Sequence, residues 1–236
     1  SGLDKCFFSN SGTESIEAAI KLARKHTKKT DIISANNGFH GRTFGSLSAT
    51  GKENIKKPFG PLLSGFKQVE YANPDAMEDE ITSQTAAIIL EPIQGEGGII
   101  IPKKDYLRKI REICGRHGIL MVLDEVQTGC ARTGKFFAFE HSGIKPDIVC
   151  LAKGLANGIP IGATISSDEI ASSFEKGDHG STFGGNPISC SAANFTIDSI
   201  ISKKLVQNVA AQGNYFMDSL NKLNRDPIKE IRGKGL

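Results

Sequence analysis

Ile119-Leu-Met-Val-Leu-Asp-Glu-Val-Gln127 is the stretch from which the fold is read. It places an unbroken apolar run between Gly118 and a pair of acids, Asp124 and Glu125. A short continuous run, as opposed to an alternating one, is the pattern of a strand covered on both faces. Similar short runs recur on either side of it: Cys6–Phe8, Asp31–Ser34, Phe66–Tyr71, Ala86–Leu90, Asp147–Leu151 and Ile161–Ile165. Between them the apolar residues change to helical spacing. Ile16, Ala19, Ile20 and Ala23 line one face of a helix entered through Ser11-Gly-Thr-Glu14, a capping-box spacing. Tyr106, Leu107, Ile110 and Ile113 repeat that pattern, and Ile188–Ile201 followed by Leu205–Leu223 reads as two consecutive helices. Strands alternating with helices predict an α/β protein with a mostly parallel sheet. Strand signals stop near Ser202-Lys203-Lys204, which divides the chain into a large domain, residues 1–201, and a segment 202–236 that holds a connecting helix and the start of a smaller domain.

Composition removes several classes of function. Among 236 residues, 29 Lys and Arg against 26 Asp and Glu leave a net charge of +3, too little to point to nucleic acid or an acidic membrane surface. No apolar run approaches the roughly 18–20 residues of a membrane span, and no charged-then-apolar leader is present. The five cysteines are odd in number and lack a Cys-x-x-Cys pair, which reads as reduced thiols in a cytoplasmic compartment. The five histidines form no metal-ligating pattern, and the sequon Asn194-Phe-Thr196 is incidental without a secretion signal. The chain opens at Ser1 without an initiator Met and closes in mid-pattern at Arg232–Leu236, so truncation at both ends is expected.

In an open α/β sheet, ligands gather outside the carboxyl ends of the strands. After the first strand, Ser9-Asn-Ser-Gly-Thr-Glu14 opens a helix whose free N–H groups suit a phosphate, although a plain helix cap has the same look. After the second, Asn37-Gly-Phe-His-Gly-Arg-Thr43 offers an aromatic face in Phe39 and a planar fork in Arg42. Asp124 and Glu125 end a buried strand, where charge is costly unless paired. Lys153, just past Asp147–Leu151, is a candidate for an amine kept neutral by burial, or for one that snorkels into solvent. Gly180-Ser-Thr-Phe-Gly-Gly-Asn-Pro187 adds two glycine-flanked hydroxyls. Together a phosphate cradle, an aromatic face, a buried acid and a strand-end lysine meet the requirements of pyridoxal 5′-phosphate.

Six motifs in order carry a resemblance: Ser9-Asn-Ser-Gly-Thr-Glu14, Phe39-His-Gly-Arg-Thr43, Glu91-Pro-Ile-Gln-Gly-Glu-Gly-Gly98, Asp124-Glu-Val-Gln-Thr-Gly129, Leu151-Ala-Lys-Gly154 and Asp178-His-Gly-Ser-Thr-Phe-Gly-Gly-Asn-Pro187. The chain resembles the class III pyridoxal-phosphate aminotransferases, and within them the branch acting on N-acetylornithine more than the GABA or ornithine branches. The resemblance implies the large domain of the fold type I transferases, with a seven-stranded sheet covered by helices on both faces. It implies that Lys153 condenses with the coenzyme aldehyde and then shuttles a proton, and that Asp124 pairs with the pyridinium nitrogen. Glu125, Val126 and Gln127 would complete that coenzyme-contacting run, Gln127 on the ring's phenolic oxygen. Gly12 and Thr13 would hold the phosphate through backbone and hydroxyl, and Phe39 would stack on the ring. Arg42 would take the α-carboxylate, Ser181 would approach the substrate, and Glu91 and Glu96 would line the substrate side. Thr182 would reach the phosphate of a neighbouring subunit, which implies a homodimer. The implied reaction passes an amino group from N-acetylornithine to 2-oxoglutarate in arginine biosynthesis. The related alternatives are ornithine, succinylornithine, GABA or aminoadipate-semialdehyde substrates, an aminomutase or decarboxylase of the same class, or an inactive coenzyme-binding fragment.

Two local departures stand out. Gly129-x-x-x-x-Gly134-Lys135 mimics a nucleotide-binding P-loop, but Phe136 stands where a metal-ligating Ser or Thr is required. Ala131 replaces the second glycine of the family's Gly-x-Gly-Arg-Thr-Gly, at a cost of about 1 kcal/mol if that position needs positive φ.

Overall fold

The computed structural model describes residues 1–223 and 226–236. In chain order the elements are β1 (Lys5–Ser9), α1 (Gly12–Thr27), β2 (Asp31–Ala35), α2 (Phe44–Ala49), α3 (Glu53–Lys56), β3 (Phe66–Val69), α4 (Pro74–Asp79), β4 (Thr85–Leu90), α5 (Tyr106–His117), β5 (Leu120–Asp124), β6 (Ile148–Leu151), β7 (Gly162–Ser166), α6 (Asp168–Ala171), α7 (Pro187–Ser202) and α8 (Leu205–Asn221). All seven apolar runs are strands of one sheet in the order β1-β7-β6-β5-β4-β2-β3. β2, β3, β4, β5 and β6 pair in parallel, while β7 runs antiparallel to both β6 and β1.

Alternate residues along the central strands divide the interior in two. Ile32, Ala87, Ile89, Val122 and Ile148 face α1, joining Ile16, Ala19, Ile20 and Ala23. Ile33, Ile88, Leu90, Met121, Leu123 and Val149 face the other side, joining Tyr106, Leu107, Ile110 and Ile113 of α5 and Ala193 of α7. Both faces are therefore covered, which is why these strands carry no polar alternation. The long helices fall where the spacing predicts them, and α5 ends at Gly118 in the left-handed conformation, a standard stop. The capping box of α1 closes differently from its expected form. Ser11 accepts from the Glu14 N–H, but the Glu14 carboxylate reaches one residue further back, to the N–H and side-chain amide of Asn10. The predicted strand Phe66–Tyr71 stops at Val69, because Tyr71 turns away and donates its hydroxyl to the carbonyls of Glu91 and Pro92.

The C-terminal segment returns against the loops that follow the central strands β4 and β5. Gly235 lies so close to Thr133 that a Cβ on it would come within 2.8 Å of the Thr133 Cα, and the Leu236 N–H donates to the Arg132 carbonyl. No helix among the described residues is long and apolar enough to cross a membrane.

Candidate active site

Reversal of β7 has a direct consequence for the site. Its amino end lies beside the carboxyl ends of the parallel strands, so six chain segments converge there. They enclose a cavity of about 530 Å³. Asn10–Thr13 come from the turn after β1, Phe39–Arg42 from the loop after β2, and Glu91 and Glu96 from the loop after β4. Asp124, Val126 and Gln127 come from the end of β5, Ala152 and Lys153 from the end of β6, and Gly158–Ile161 from the approach to β7.

The floor is charged and already paired. Asp124 is only 3% exposed. Its Oδ1 accepts from the Val126 N–H at 3.1 Å, and its Oδ2 accepts from Nδ1 of His40 at 2.8 Å. Burial alone would lower the His40 ring, but the hydrogen bond and charge of Asp124, with Glu91 nearby, outweigh it and hold the ring above its ordinary value. The other ring nitrogen of His40, Nε2, is buried and has no hydrogen-bond partner among the described residues. Glu91 accepts from the N–H of Phe39 at 3.0 Å and of Gly95 at 3.1 Å, tying the loops after β2 and β4 together and fixing the backbone that carries the Phe39 ring. Burial, with Asp124 adding to it, raises its carboxyl despite the opposing pull of His40.

The wall at α1 suits an anion. No backbone partner among the described residues accepts from the N–H of Gly12 or Thr13, which open the helix. A Cβ on Gly12 would lie 2.8 Å from Cγ1 of Val126, so only glycine lets this turn approach the β5 end. Gln127 packs in the same way against Gly95, where a Cβ would meet its Oε1 at 1.3 Å. The Thr13 hydroxyl is engaged elsewhere: it lies 2.6 Å from Ser46 Oγ and 2.9 Å from Thr43 Oγ1 and accepts from the Arg42 N–H at 3.3 Å.

The rim is exposed. Lys153 is the one lysine among the lining residues, and it reaches the cavity from solvent-accessible chain, not from the buried strand end that the sequence suggests. β6 stops at Leu151, Ala152 is still buried, and burial resumes at Leu155 and Ala156 beyond the exposed Lys153. Lys153 then opens a single 3₁₀ turn, Lys153–Ala156, with φ of 42°. A non-glycine residue held in the left-handed region carries strain of the order of 1 kcal/mol, a feature that clusters at functional sites. Arg42 and Glu96 are likewise exposed.

Three anticipated residues lie outside this cavity. The side chain of Glu125 points into the opposite core. Its carboxylate accepts from the Phe139 N–H at 2.9 Å and from the Thr128 hydroxyl, and burial pushes it up to about 7. Ser181 and Thr182 line a separate cleft with Asn10, Glu14 and Glu17. Ser181 is anchored there, accepting from Nδ2 of Asn10 at 3.0 Å. His40 is the residue that sequence reasoning missed. It sits inside the Phe39–Thr43 motif, but its partner Asp124 lies 84 residues along the chain, beyond any local pattern.

An amine on strained backbone, a fixed buried carboxylate, free helix N–H groups and a guanidinium around one cavity can capture a carbonyl, hold an anion and move a proton. Known proteins agree with this geometry. The sequence matches the family described as Aminotransferase class-III over residues 1–236. An acetylornithine aminotransferase of Methanopyrus kandleri is 51% identical over 234 residues, covering 99% of this chain and 60% of that protein. One of Methanothermobacter thermautotrophicus is 49% identical over 235 residues, with 99% and 60% covered. The crystal structure of the ornithine aminotransferase from Toxoplasma gondii superposes with a TM-score of 0.96 at 36% identity, covering 100% of this chain and 59% of that one. The chain thus spans about three-fifths of the length of the relatives it matches. On the match over its whole length, this chain belongs to the class-III aminotransferases.

Proposed function

We propose that the chain is the coenzyme-binding part of an acetylornithine aminotransferase, which moves the side-chain amino group of N-acetylornithine to 2-oxoglutarate in arginine biosynthesis. The observation that carries this reading is the convergence of Lys153, Asp124, the opening turn of α1 and Arg42 on one cavity. The relatives at 49–51% identity that bear this name support the choice of donor.

Pyridoxal 5′-phosphate fits the residues present. The N–H groups of Gly12 and Thr13, which find no partner among the described residues, suit its phosphate, and the glycine-only contact with Val126 leaves room for close approach. Asp124 suits a protonated ring nitrogen, and Phe39 and Val126 line the same cavity as candidates for the two faces of the ring, with Gln127 for its phenolic oxygen. When bound, the coenzyme supplies an aldehyde that captures amines and a ring that accepts the electron pair left when a proton departs. The protein supplies the rest. Lys153 would hold the coenzyme through its aldehyde and, once free, would carry a proton from the amine-bearing carbon of the donor to the aldehyde carbon on the far side of the shared nitrogen. His40, by donating to Asp124, fixes that carboxylate's orientation and keeps its charge in place. Arg42 holds a substrate carboxylate as a planar fork, and Glu91 and Glu96 bound the substrate side.

Ser181 and Thr182, seated away from this chain's own cavity, are assigned to the site of a second copy, so that a homodimer completes the active site, in the cytoplasm. The apolar surface of α7, where Ile188 and Phe195 are exposed, supports such pairing. The test uses the full-length enzyme loaded with coenzyme and mixed separately with N-acetylornithine, ornithine and GABA. The reading expects N-acetylornithine to discharge the visible absorbance fastest. Preference for ornithine or GABA would reassign the substrate, and no response to any donor would overturn the function.

A further inference from the structure

The helix that carries Arg42's loop is capped by a residue of another helix. α2 begins after Thr43, yet the Thr43 side chain caps none of its N–H groups, meeting within that helix only the Ser46 hydroxyl at 2.9 Å. The carboxylate of Glu17, on α1, caps them instead. Its Oε1 accepts from the N–H of Gly45 at 2.9 Å, from the N–H of Ser46 at 3.1 Å and from the Thr43 hydroxyl. A negative group at a helix amino end is favoured by the free N–H groups and the helix dipole.

One turn earlier on α1, the Thr13 hydroxyl accepts from the N–H of Arg42 and of Thr43, each at 3.3 Å. The segment 41–46 is thus bolted to α1 at two successive turns, with Arg42 itself at the first bolt and the second just beyond it. Space is as tight as the bonding. A Cβ on Gly41 would lie 2.3 Å from Thr13 Oγ1, and a Cβ on Gly45 would lie 2.2 Å from Glu17 Oε2. α1 is also the helix whose opening turn, Gly12 and Thr13, forms the anion wall of the cavity. One rigid rod therefore fixes both the cradle and the loop bearing the guanidinium.

We infer that Glu17 is a positioning residue for substrate binding: by capping α2 from α1 it sets the place of the Arg42 guanidinium relative to the anion cradle. Glu17 does not line the cavity. It acts through Arg42, and the inference rests on the reading of Arg42 as the carboxylate fork. Because the loop carries binding and not proton transfer, its displacement weakens capture of the carboxylate and leaves the chemical step unchanged once substrate is bound.

The experiment compares wild type, Glu17→Ala, Glu17→Gln, Arg42→Ala and the double variant Glu17→Ala/Arg42→Ala in the full-length enzyme. Glu17→Ala is expected to raise KM for the carboxylate-bearing donor about five- to tenfold, the scale of one lost helix cap, with kcat within about twofold. Glu17→Gln, which retains an acceptor for the Gly45 and Ser46 N–H groups, is expected to recover most of the loss. Coenzyme affinity, read from the visible band on titration with pyridoxal 5′-phosphate, should not move. In the Arg42→Ala background, Glu17→Ala should raise KM no further, because the group it positions is gone. An unchanged KM in Glu17→Ala, an equal fall in kcat, or full additivity with Arg42→Ala would each overturn the inference. If Glu17→Ala does not fold, Glu17→Gln with and without Arg42→Ala carries the same comparison. A wild-type enzyme that transfers no amino group would instead refute the functional reading itself.

Discussion

Asp124 and Lys153 stand at the ends of neighbouring strands, and folding treats them in opposite ways. Asp124 is buried, bonded to His40 and Val126, and complete before any ligand arrives. Lys153 is exposed, sits on left-handed backbone and makes no ion pair among the described residues. The floor of the cavity is preorganised electrostatics, and its rim is chemistry left free for a ligand. Such a division is what catalysis requires: groups that stabilise charge should not reorganise, while the group that forms and breaks a bond must remain available.

Substitutions at the two positions should therefore differ in kind. Lys153→Ala is expected to lower turnover by at least about 10⁴-fold, the upper range for loss of a proton-transferring group, with the thermal midpoint held, because the lost side chain is exposed and alanine keeps the same left-handed backbone. Asp124→Asn is expected to lower turnover by on the order of 10²–10³-fold, the scale of a lost charge partner, and also to lower stability, since His40 stays buried beside a neutral amide. Turnover and melting curves of the two variants check this; an Asp124→Asn protein as active as wild type would remove the floor from the mechanism.

The same strand end offers a smaller contrast. Asp124 faces the cavity and its neighbour Glu125 faces the core, and among the described residues only Asp124 has a basic partner. Glu125, pushed up to about 7 from an ordinary 4.5, binds a proton in the folded chain that the unfolded chain releases. Stability from this group is thus present at low pH and lost as pH rises from 4.5 through 7. Glu125→Gln, which can still accept from Phe139, removes that dependence. Its advantage over wild type should grow to about 3 kcal/mol by pH 8, from 1.36 kcal/mol for each shifted unit, and fade toward pH 4. A midpoint difference that does not vary with pH would contradict the burial of an ionising carboxyl.

The smallest effect lies at Ala131, whose φ of 72° places it in the left-handed region that the family's glycine would occupy freely. Ala131→Gly should stabilise by about 1 kcal/mol at most, offset in part by the loss of a buried methyl, and should leave turnover untouched. A melting curve at neutral pH reads the difference.

Much of this was legible in the chain. Seven apolar runs became seven strands; the central ones are covered on both faces and so need continuous runs, while the edge strands β1 and β3 are only partly buried, and the i, i+3, i+4 spacing located α1 and α5. Strand-end reasoning alone pointed to the turn Ser9–Glu14, to Phe39 and Arg42, to the acid pair Asp124 and Glu125 and to Lys153, since ligands gather where parallel strands end. What stayed hidden depends on direction or distance. Ile161–Ile165 reads the same whichever way β7 runs, yet its reversal brings Gly158–Ile161 into the cavity. Whether Asp124 or Glu125 faces the coenzyme side cannot be told from two adjacent acids. The His40–Asp124 bond and the Glu17 cap join residues far apart in sequence, and α2, α3, α4 and α6 are too short to show a period.

Borohydride reduction of the coenzyme-loaded full-length enzyme, followed by proteolysis and mass spectrometry, tests the central claim most directly. If the cavity at the carboxyl ends of β5 and β6 is the coenzyme site, the pyridoxyl group is found on Lys153 and the visible band disappears with its attachment. A label on any other lysine, with Lys153 unmodified, would contradict the account.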